Sequence, residues 1–465
     1  MSSRRERVIF GLSAIPDQIT YQAFTLLVFV YYFAVVGLDM TQLWIGFTIW
    51  AIWNAFNDPL FGGLSDRTRF DFTQKFGKRR FYIVLSIIPL AVMMVLLFTP
   101  PSLAGSTINF IYFLIIIILF EAVYTIYSVN VNALFPEMFP TEKERTSTNL
   151  FVKGFTVVAL MLAVVMPTLV LPSFTPNGKT AAELAPIYLT VGIIIAVITI
   201  ISALPFILYG IKEKPEYKAD VHKSPKFFTA AKTTLKNKTF IIFVSANLLI
   251  WFVFGLLVSI VPLYAEHVVG IEGAIMIGLP LMIAFLLTVV CFPIHRKIAH
   301  KYGFKKGMII TLVAWCAALL PYLFLGDGAT IPFFIITAIQ GFPLAGALYF
   351  VDLLISDVID EDETKTGVRR EGSYYGMNAF IHRFSVILKI SAIALVFTNT
   401  NWHDYDPNPG APVLLGLKLL MCVLPIIALG IAALLFKFFP LHGEKLAEMR
   451  KKMDQIHVEK KKQLE

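Results

Sequence analysis

The stretch that decides the fold is WNAFNDPLFGGLSDRTR, residues 53–69. It closes an apolar run that begins near residue 43, and it leads directly into a basic loop. Asp58 lies inside the apolar part, before the polar edge. An apolar run of about 20 residues crosses a bilayer as a helix, and a carboxylate inside such a span is costly. The stretch therefore predicts a membrane-spanning helix with a functional acidic side chain.

The composition extends this prediction to the whole chain. Of its 465 residues, 57% are hydrophobic and 15% are charged, whereas a soluble protein carries roughly 25% charged residues. The apolar runs do not alternate with polar residues as the strands of a barrel would. The composition predicts an all-α polytopic protein whose surroundings are the lipid bilayer. The net charge of +9 lies in the loops, so a nucleic-acid partner is not expected.

Twelve apolar runs predict twelve membrane-spanning helices. Their predicted limits are about 12–36, 43–64, 81–99, 107–134, 149–172, 186–210, 240–264, 273–294, 307–326, 330–356, 374–398 and 412–437.

Loop charge predicts the orientation. Basic residues precede span 1 and follow every even-numbered span, whereas the opposite loops contain only Lys179. Cytoplasmic loops carry the excess of Lys and Arg. We therefore expect a multi-pass protein of the plasma membrane with both termini in the cytoplasm.

The chain divides into two similar halves joined by a Lys-rich segment. Spans 2 and 8 both lead into basic loops, and spans 4 and 10 both lead into loops of mixed charge. Two pseudo-symmetric six-helix bundles with a mid-membrane site are the architecture of a major facilitator transporter. We expect a monomer with a solvated tail helix. The predicted divisions are a first bundle at 1–211, a linker at 212–238, a second bundle at 239–438 and a basic tail at 439–465.

Polar residues surround Asp58 at helical spacing. Asn54 lies four residues earlier on the same helix face, and Asn57 is adjacent. On span 4, Glu121 and Thr125 share a face in the same way. Spans 2 and 4 run in the same direction, so these faces can meet at one depth. Their hard oxygen ligands suit Na⁺, or a proton shared by two carboxylates.

Two alternatives for Asp58 do not involve a bound ion. In the first, Asp58 forms a salt bridge inside the membrane with the basic side chain of Lys153 on span 5 or of Arg383 on span 11. In the second, it caps a helix kink before Pro59.

Three loop motifs resemble the glycoside–pentoside–hexuronide:cation symporters, the melibiose permease family, whose relatives include animal lysophospholipid symporters. The motifs are NDPLFGGLSDRTR, ALFPEMFPTEKERT and SDVIDEDETKTGVRREGSYYGMNAF. The resemblance implies a major facilitator fold and cation coupling. In that family Na⁺ is held by two aspartates on helix 2, an intervening asparagine and a threonine on helix 4. Asp58, Asn57 and Thr125 match; Asn54 replaces the first aspartate, and we infer that Glu121 restores the missing charge.

The resemblance also implies a substrate site. Asp17 matches the aspartate that accepts sugar hydroxyls, Lys153 stands where the family has an arginine, and Asn378 and Arg383 match polar positions on span 11. Ser128 replaces the second sugar-binding aspartate, so a galactoside platform is not expected, although another sugar fits. The alternative for Asp17 is an internal salt bridge to Lys153.

The charged loops at the cytoplasmic side predict a gate. Acidic and basic side chains on the ends of the two bundles would pair in one state of the transporter and separate in the other. The residues of this predicted gate are Asp66, Arg67, Arg69, Glu137, Arg145, Arg296, Asp357, Arg369, Arg370 and Glu371.

These observations predict a cation-coupled symporter of a sugar, glycoside or similar small polar solute, driven by Na⁺ or H⁺ and without a cofactor. The alternative is a lysolipid or amphiphile symporter of the same fold. An enzyme is not expected, because the sequence contains no nucleophile–base pair and no metal-spaced cluster of histidines or cysteines. The three cysteines lie far apart in apolar spans.

Overall fold

The structure is a computed structural model, and it describes residues 3–67, 77–139, 142–176, 179–211, 234–367 and 370–464. Within this part of the chain all regular structure is helical. The membrane helices, numbered to match the predicted spans, are α1 Arg4–Val35, α2 Met40–Arg67, α3 Lys78–Leu96, α4 Thr107–Met138, α5 Glu142–Val170, α6 Ala181–Gly210, α7 Lys238–His267, α8 and α9 within Ala274–Phe324, α10 Thr330–Thr366, α11 Ser373–Asn399 and α12 Ala411–Lys437; a tail helix, α13, follows at Gly443–Leu464.

The described helices account for the twelve predicted spans. Ten stretches are long and apolar enough to cross a membrane, and one of them, Ala274–Phe324, is 51 residues long. Gly303 interrupts that stretch with a φ of 78°, a left-handed conformation that favours glycine. The break separates α8 from α9, so the ten stretches contain eleven membrane helices. The twelfth is α2, whose 28 residues form one continuous helix, and the prediction of twelve spans is confirmed.

Large apolar side chains on the outside of the helices agree with a lipid environment. Phe324 is 78% exposed, Ile331 74% and Leu150 72%. Such exposure would favour aggregation in water, but a lipid tail is as apolar as these side chains.

The described residues form two compact units. Unit 1 contains the described residues of Met1–Ser224, Val258–Met282 and Ile390–Leu417, and unit 2 contains those of Pro225–Leu257, Ile283–Lys389 and Lys418–Glu465. The C-terminal parts of α7 and α11 therefore pack with α1–α6 in unit 1. In the same unit, α2 packs along α4, and α3 packs on α4 and α6.

The tail helix is not fully solvated, contrary to the sequence-based expectation. It packs against α10 within unit 2, and Met449 and Met453 are buried there. Arg450 of this helix lies 3.5 Å from the Asp357 carboxylate and over the ring of Phe304. The expectation was wrong because the apolar face of the tail is short, and its partners lie far away in the sequence.

Candidate functional site

The polar faces of α2 and α4 meet inside unit 1. The Asn57 Nδ2 donates to the Glu121 carbonyl oxygen at 3.4 Å. The Thr125 hydroxyl lies 3.5 Å from the Glu121 Oε1. Asn57 and Glu121 are 0% exposed, Thr125 is 1% exposed and Asn54 is 2% exposed. Asn57 of α2 therefore contacts the turn of α4 that carries Glu121 and Thr125, and Asn54 is buried one turn before Asp58 on α2.

Asp58 belongs to the same helix turn as Asn57. The α2 backbone is helical at this position, and the Asp58 side chain lies outside the described part of the structure. Neither the ion-binding hypothesis nor its salt-bridge alternatives are tested by the structure, and all of them remain predictions.

A buried cluster of aromatic rings includes Phe120, the residue before Glu121 on α4. Phe24 of α1 stacks on Phe120 of α4 with ring centroids 4.7 Å apart, and it also packs on Trp50 of α2 at 5.1 Å. All three side chains are buried. Rings of this kind exclude water and lower the local dielectric, so that an unneutralised carboxylate among them would be costly.

Asp17 belongs to a second polar cluster in unit 1. Its Oδ2 accepts a hydrogen bond of 2.7 Å from the Gln18 Nε2. The rings of Tyr21 and Tyr124 lie 5.0 Å apart, and Tyr124 interacts electrostatically with both Asp17 and Glu121. The Asp17 cluster and the α2–α4 contact therefore adjoin each other through α4.

Sequence reasoning missed the two tyrosines of this cluster. Tyr21 follows Asp17 by four residues on α1, and Tyr124 precedes Ser128 by four residues on α4. That spacing places an aromatic ring and a polar side chain on the same face of each helix. Ser128 accepts a hydrogen bond from the Asn132 Nδ2 at 3.3 Å.

The remaining predicted substrate residues are divided between the units. Lys153 is exposed on α5 in unit 1. In unit 2, the Asn378 Oδ1 accepts a hydrogen bond of 2.9 Å from the Asn247 Nδ2. Arg383 lies at a break in α11, between helices that end at His382 and begin at Phe384.

Two of the three gate residues whose side chains are described form ion pairs within unit 2. Arg370 forms a bidentate ion pair with Asp362, with distances of 2.8 and 2.6 Å, and this hydrogen bonding raises the pKa of the Arg370 guanidinium above its ordinary value. Asp357 pairs with Arg450 of the tail, and Arg296 is exposed. The other gate positions lie outside the described residues, completely or in their side chains: Asp66, Arg67, Arg69, Glu137, Arg145, Arg369 and Glu371.

A further network in unit 1 explains part of the first loop motif. The Ser65 hydroxyl donates to the Asn130 Oδ1 at 2.7 Å, and the Arg79 Nη1 donates to the Ser65 hydroxyl at 2.8 Å. Ser65 ends the GGLS segment, Arg79 is the second residue of α3, and Asn130 lies on α4. Ser65 therefore links the end of α2 to the start of α3 and to α4, a role that sequence reasoning did not assign.

The helical architecture is the fold of the membrane transporters of the major facilitator type. The sequence profile of MFS/sugar transport proteins matches residues 9–443. The chain belongs to this family, which confirms the predictions of a major facilitator transporter and of a protein that is not an enzyme.

The relatives agree with this assignment. The chain is 21% identical to the isoprimeverose transporter of Lactiplantibacillus pentosus, over 93% of this chain and 88% of the relative. It is 26% identical to a putative sulfoquinovose importer of Salmonella typhimurium, over 94% and 89%. It is 22% identical to the sodium-dependent lysophosphatidylcholine symporter 1 of Mus musculus, over 97% and 88%.

Solved structures show the same fold. A mutant form of the nucleoside transporter NupG matches with a TM-score of 0.65 and 15% identity, covering 93% of this chain and 98% of that chain. A bacterial homologue of the human lysosomal transporter Spinster matches with a TM-score of 0.64 and 17% identity, covering 94% and 97%. At such identities the likeness concerns the fold alone.

Asp17 gives the first testable prediction. Replacing Asp17 with Asn keeps the size of the side chain and removes its charge, so a hydroxyl-bearing substrate loses a charge-assisted hydrogen bond. We expect the KM of uptake to rise about tenfold, which corresponds to the lower end of the range of about 1.5–3 kcal/mol that such bonds contribute. The measurement is the concentration dependence of uptake into proteoliposomes.

The matched control is Asp39→Asn. The Asp39 carboxylate accepts a hydrogen bond from the Gln42 backbone N–H at 2.9 Å at the start of α2, a capping role that asparagine also performs. The KM of uptake by the Asp39→Asn variant should equal that of the wild type. An unchanged KM for Asp17→Asn would remove Asp17 from the substrate site.

Proposed function

We propose that the chain is a cation-coupled symporter that moves a sugar, glycoside or similar small polar solute across the plasma membrane by alternating access. The buried contact of Asn57, Glu121 and Thr125 is the observation that carries this proposal, because it concentrates oxygen ligands beside Asp58 in an apolar setting. The family membership supports transport, and the name of the mouse relative supports cation coupling.

The coupling cation is Na⁺ or H⁺, and the residues that bind it are Asp58, Asn54, Asn57, Glu121 and Thr125. Carboxylate, amide and hydroxyl oxygens suit a hard monovalent cation. Without the cation, buried carboxylates resist closure of the site around them, because burying an uncompensated charge is costly. A bound cation neutralises the site, so the conformational change favours the loaded transporter.

The substrate lies against the Asp17 cluster. Asp17 accepts sugar hydroxyls, the rings of Tyr21 and Tyr124 pack on the apolar face of a sugar, and Ser128 supplies a further hydroxyl. Lys153, Asn378 and Arg383 remain candidate donors. Two relatives are described as transporting or importing sugars, isoprimeverose and sulfoquinovose, and these names support the sugar class.

The second candidate function is symport of a lysolipid. It is favoured by the mouse lysophosphatidylcholine symporter, which aligns with 97% of this chain. The cation site would be the same, and only the ligand differs.

The remaining parts of the proposal concern topology. Both termini face the cytoplasm, as the distribution of basic loops indicates, and the protein works as a monomer. The ion pairs at the inner end of α10 belong to the cytoplasmic gate in this arrangement.

Uptake of labelled solutes into proteoliposomes tests the proposal. We expect accumulation of a sugar above its equilibrium level only when a Na⁺ or a pH gradient is imposed. Accumulation of lysophosphatidylcholine and of no sugar would favour the second candidate. Sugar uptake that reaches the same level with and without either gradient would contradict symport.

A further inference from the structure

A buried carboxylate outside the proposed cation site joins two distant segments of unit 1. Glu266 stands one residue before the end of α7 and is 5% exposed. Its Oε1 accepts a hydrogen bond of 2.8 Å from the Phe174 backbone N–H, and its Oε2 accepts one from the Thr175 hydroxyl. One carboxylate of α7 is thus bound by the connection between α5 and α6.

The connection between α5 and α6 is itself stabilised by two hydrogen bonds, one from α6 and one within the connection. The Tyr188 hydroxyl of α6 donates to the Phe174 carbonyl oxygen at 2.6 Å, and the Ser173 hydroxyl donates to the Thr175 carbonyl oxygen at 2.7 Å. Phe174 and Thr175 are both 0% exposed. The two donors therefore point at Glu266 from a fixed backbone.

Tyr405, in the connection between α11 and α12, completes the surroundings of Glu266. It interacts electrostatically with Glu266. Burial raises the pKa of Tyr405 above its ordinary value, so its hydroxyl keeps its proton and remains a hydrogen-bond donor. Its oxygen also lies 3.4 Å from the His267 Nε2.

The start of α8 also contacts the C-terminal end of α5 and the residues that follow it. The Ala274 backbone N–H, at the start of α8, donates to the Pro172 carbonyl oxygen at 3.0 Å. Gly278 of α8 packs so closely on α5 that an added Cβ would collide with the Thr168 side chain. Thr168 is 3% exposed. When α7 and α8 leave α5, Thr168 must become accessible to water.

We propose that Glu266 is a latch, whose bonds to Phe174 and Thr175 hold this end of the transporter closed and set how often it opens. On the orientation proposed above, this is the extracellular end. The inference rests on the proposed function, because alternating access requires that both ends open in turn. A carboxylate suits this role because water hydrates it well once the two donors are released.

A cysteine introduced at position 168 reports the state of the latch. Thr168→Cys is close to isosteric, and the native thiols are replaced by serine in the same protein. The replaced residues are Cys291, Cys316 and Cys422. The purified full chain is placed in nanodiscs, where both faces are accessible, and the rate at which a polar maleimide labels the introduced thiol is measured.

The variant that breaks the latch is Glu266→Ala. We expect the labelling rate of the introduced thiol to rise about tenfold or more, because each lost bond to a charged group shifts the equilibrium by about that factor. Glu266→Gln still accepts the Phe174 N–H and should give an intermediate rate. The matched control is Glu272→Ala, an exposed glutamate in the connection between α7 and α8, which should not change the rate.

A second pair of variants keeps the test decisive if Glu266→Ala does not fold. Thr175→Val removes the donor hydroxyl and should raise the labelling rate, whereas Thr175→Ser retains it and should not. An unchanged rate in Glu266→Ala, or equal rates in the two Thr175 variants, would overturn the latch. Failure of the proposed function would look different. The wild type would show no gradient-driven uptake, while the labelling rates of the Glu266 and Thr175 variants would still differ as expected.

Discussion

Replacing Asp58 with Asn is expected to abolish cation-driven accumulation of substrate while substrate exchange across the membrane stays measurable. Asparagine retains one oxygen ligand but removes the negative charge that the cation neutralises. We expect the apparent affinity for the cation to fall about 100-fold, since a hydrogen bond or ligand contact to a charged group contributes about 1.5–3 kcal/mol. Uptake with and without the gradient, and exchange at equal substrate concentration on both sides, measure the two effects.

The control for this variant is Asp352→Asn. Asp352 is also an acidic residue of a membrane helix, on α10, but it is exposed at the surface of unit 2, and its replacement should leave coupling intact. If Asp58→Asn accumulated substrate in response to the gradient as well as the control does, the cation would have to bind elsewhere.

Glu121 carries the second large prediction. We infer that it supplies the charge that the related family has on α2 at the position of Asn54. Glu121→Gln should therefore lose gradient-driven accumulation nearly as completely as Asp58→Asn. The double variant Asn54→Asp/Glu121→Gln returns the charge to α2 and should recover a substantial part of the accumulation, because the number of carboxylates in the site is unchanged.

The same uptake assay decides this prediction, and Asn54→Asp alone is its control. A third carboxylate among buried residues raises the cost of the empty site, so the single variant should not improve coupling. Normal accumulation by Glu121→Gln would show that Glu121 is a structural residue. Loss without recovery in the double variant would show that the position of the charge matters as well as its presence.

The helices of this protein were predictable because each membrane span must be long and apolar. The predicted 107–134 and 240–264 correspond to Thr107–Met138 and Lys238–His267 in the structure. The ends differ because a helix continues past the apolar run into polar loops until a turn residue stops it, as Gly367 does after α10 with a φ of 72°.

The α2–α4 contact was also predictable, because i to i+4 spacing places Asn54 with Asp58 and Glu121 with Thr125 on single helix faces. The partners of Asp357 and Glu266 were not. Arg450 follows Asp357 by 93 residues, and Thr175 precedes Glu266 by 91 residues. Pairings over such separations depend on tertiary packing, which helical periodicity does not encode.

Binding of a cation to Asp58 is the central claim, and thermal unfolding of the purified protein tests it most directly. A ligand that binds the folded state at 100 times its Kd stabilises that state by about 2.7 kcal/mol. We predict that the melting temperature of the wild type rises with Na⁺ or with proton concentration at constant ionic strength, and that Asp58→Asn loses this rise while Asp352→Asn retains it. An equal rise in the wild type and in Asp58→Asn would contradict the claim.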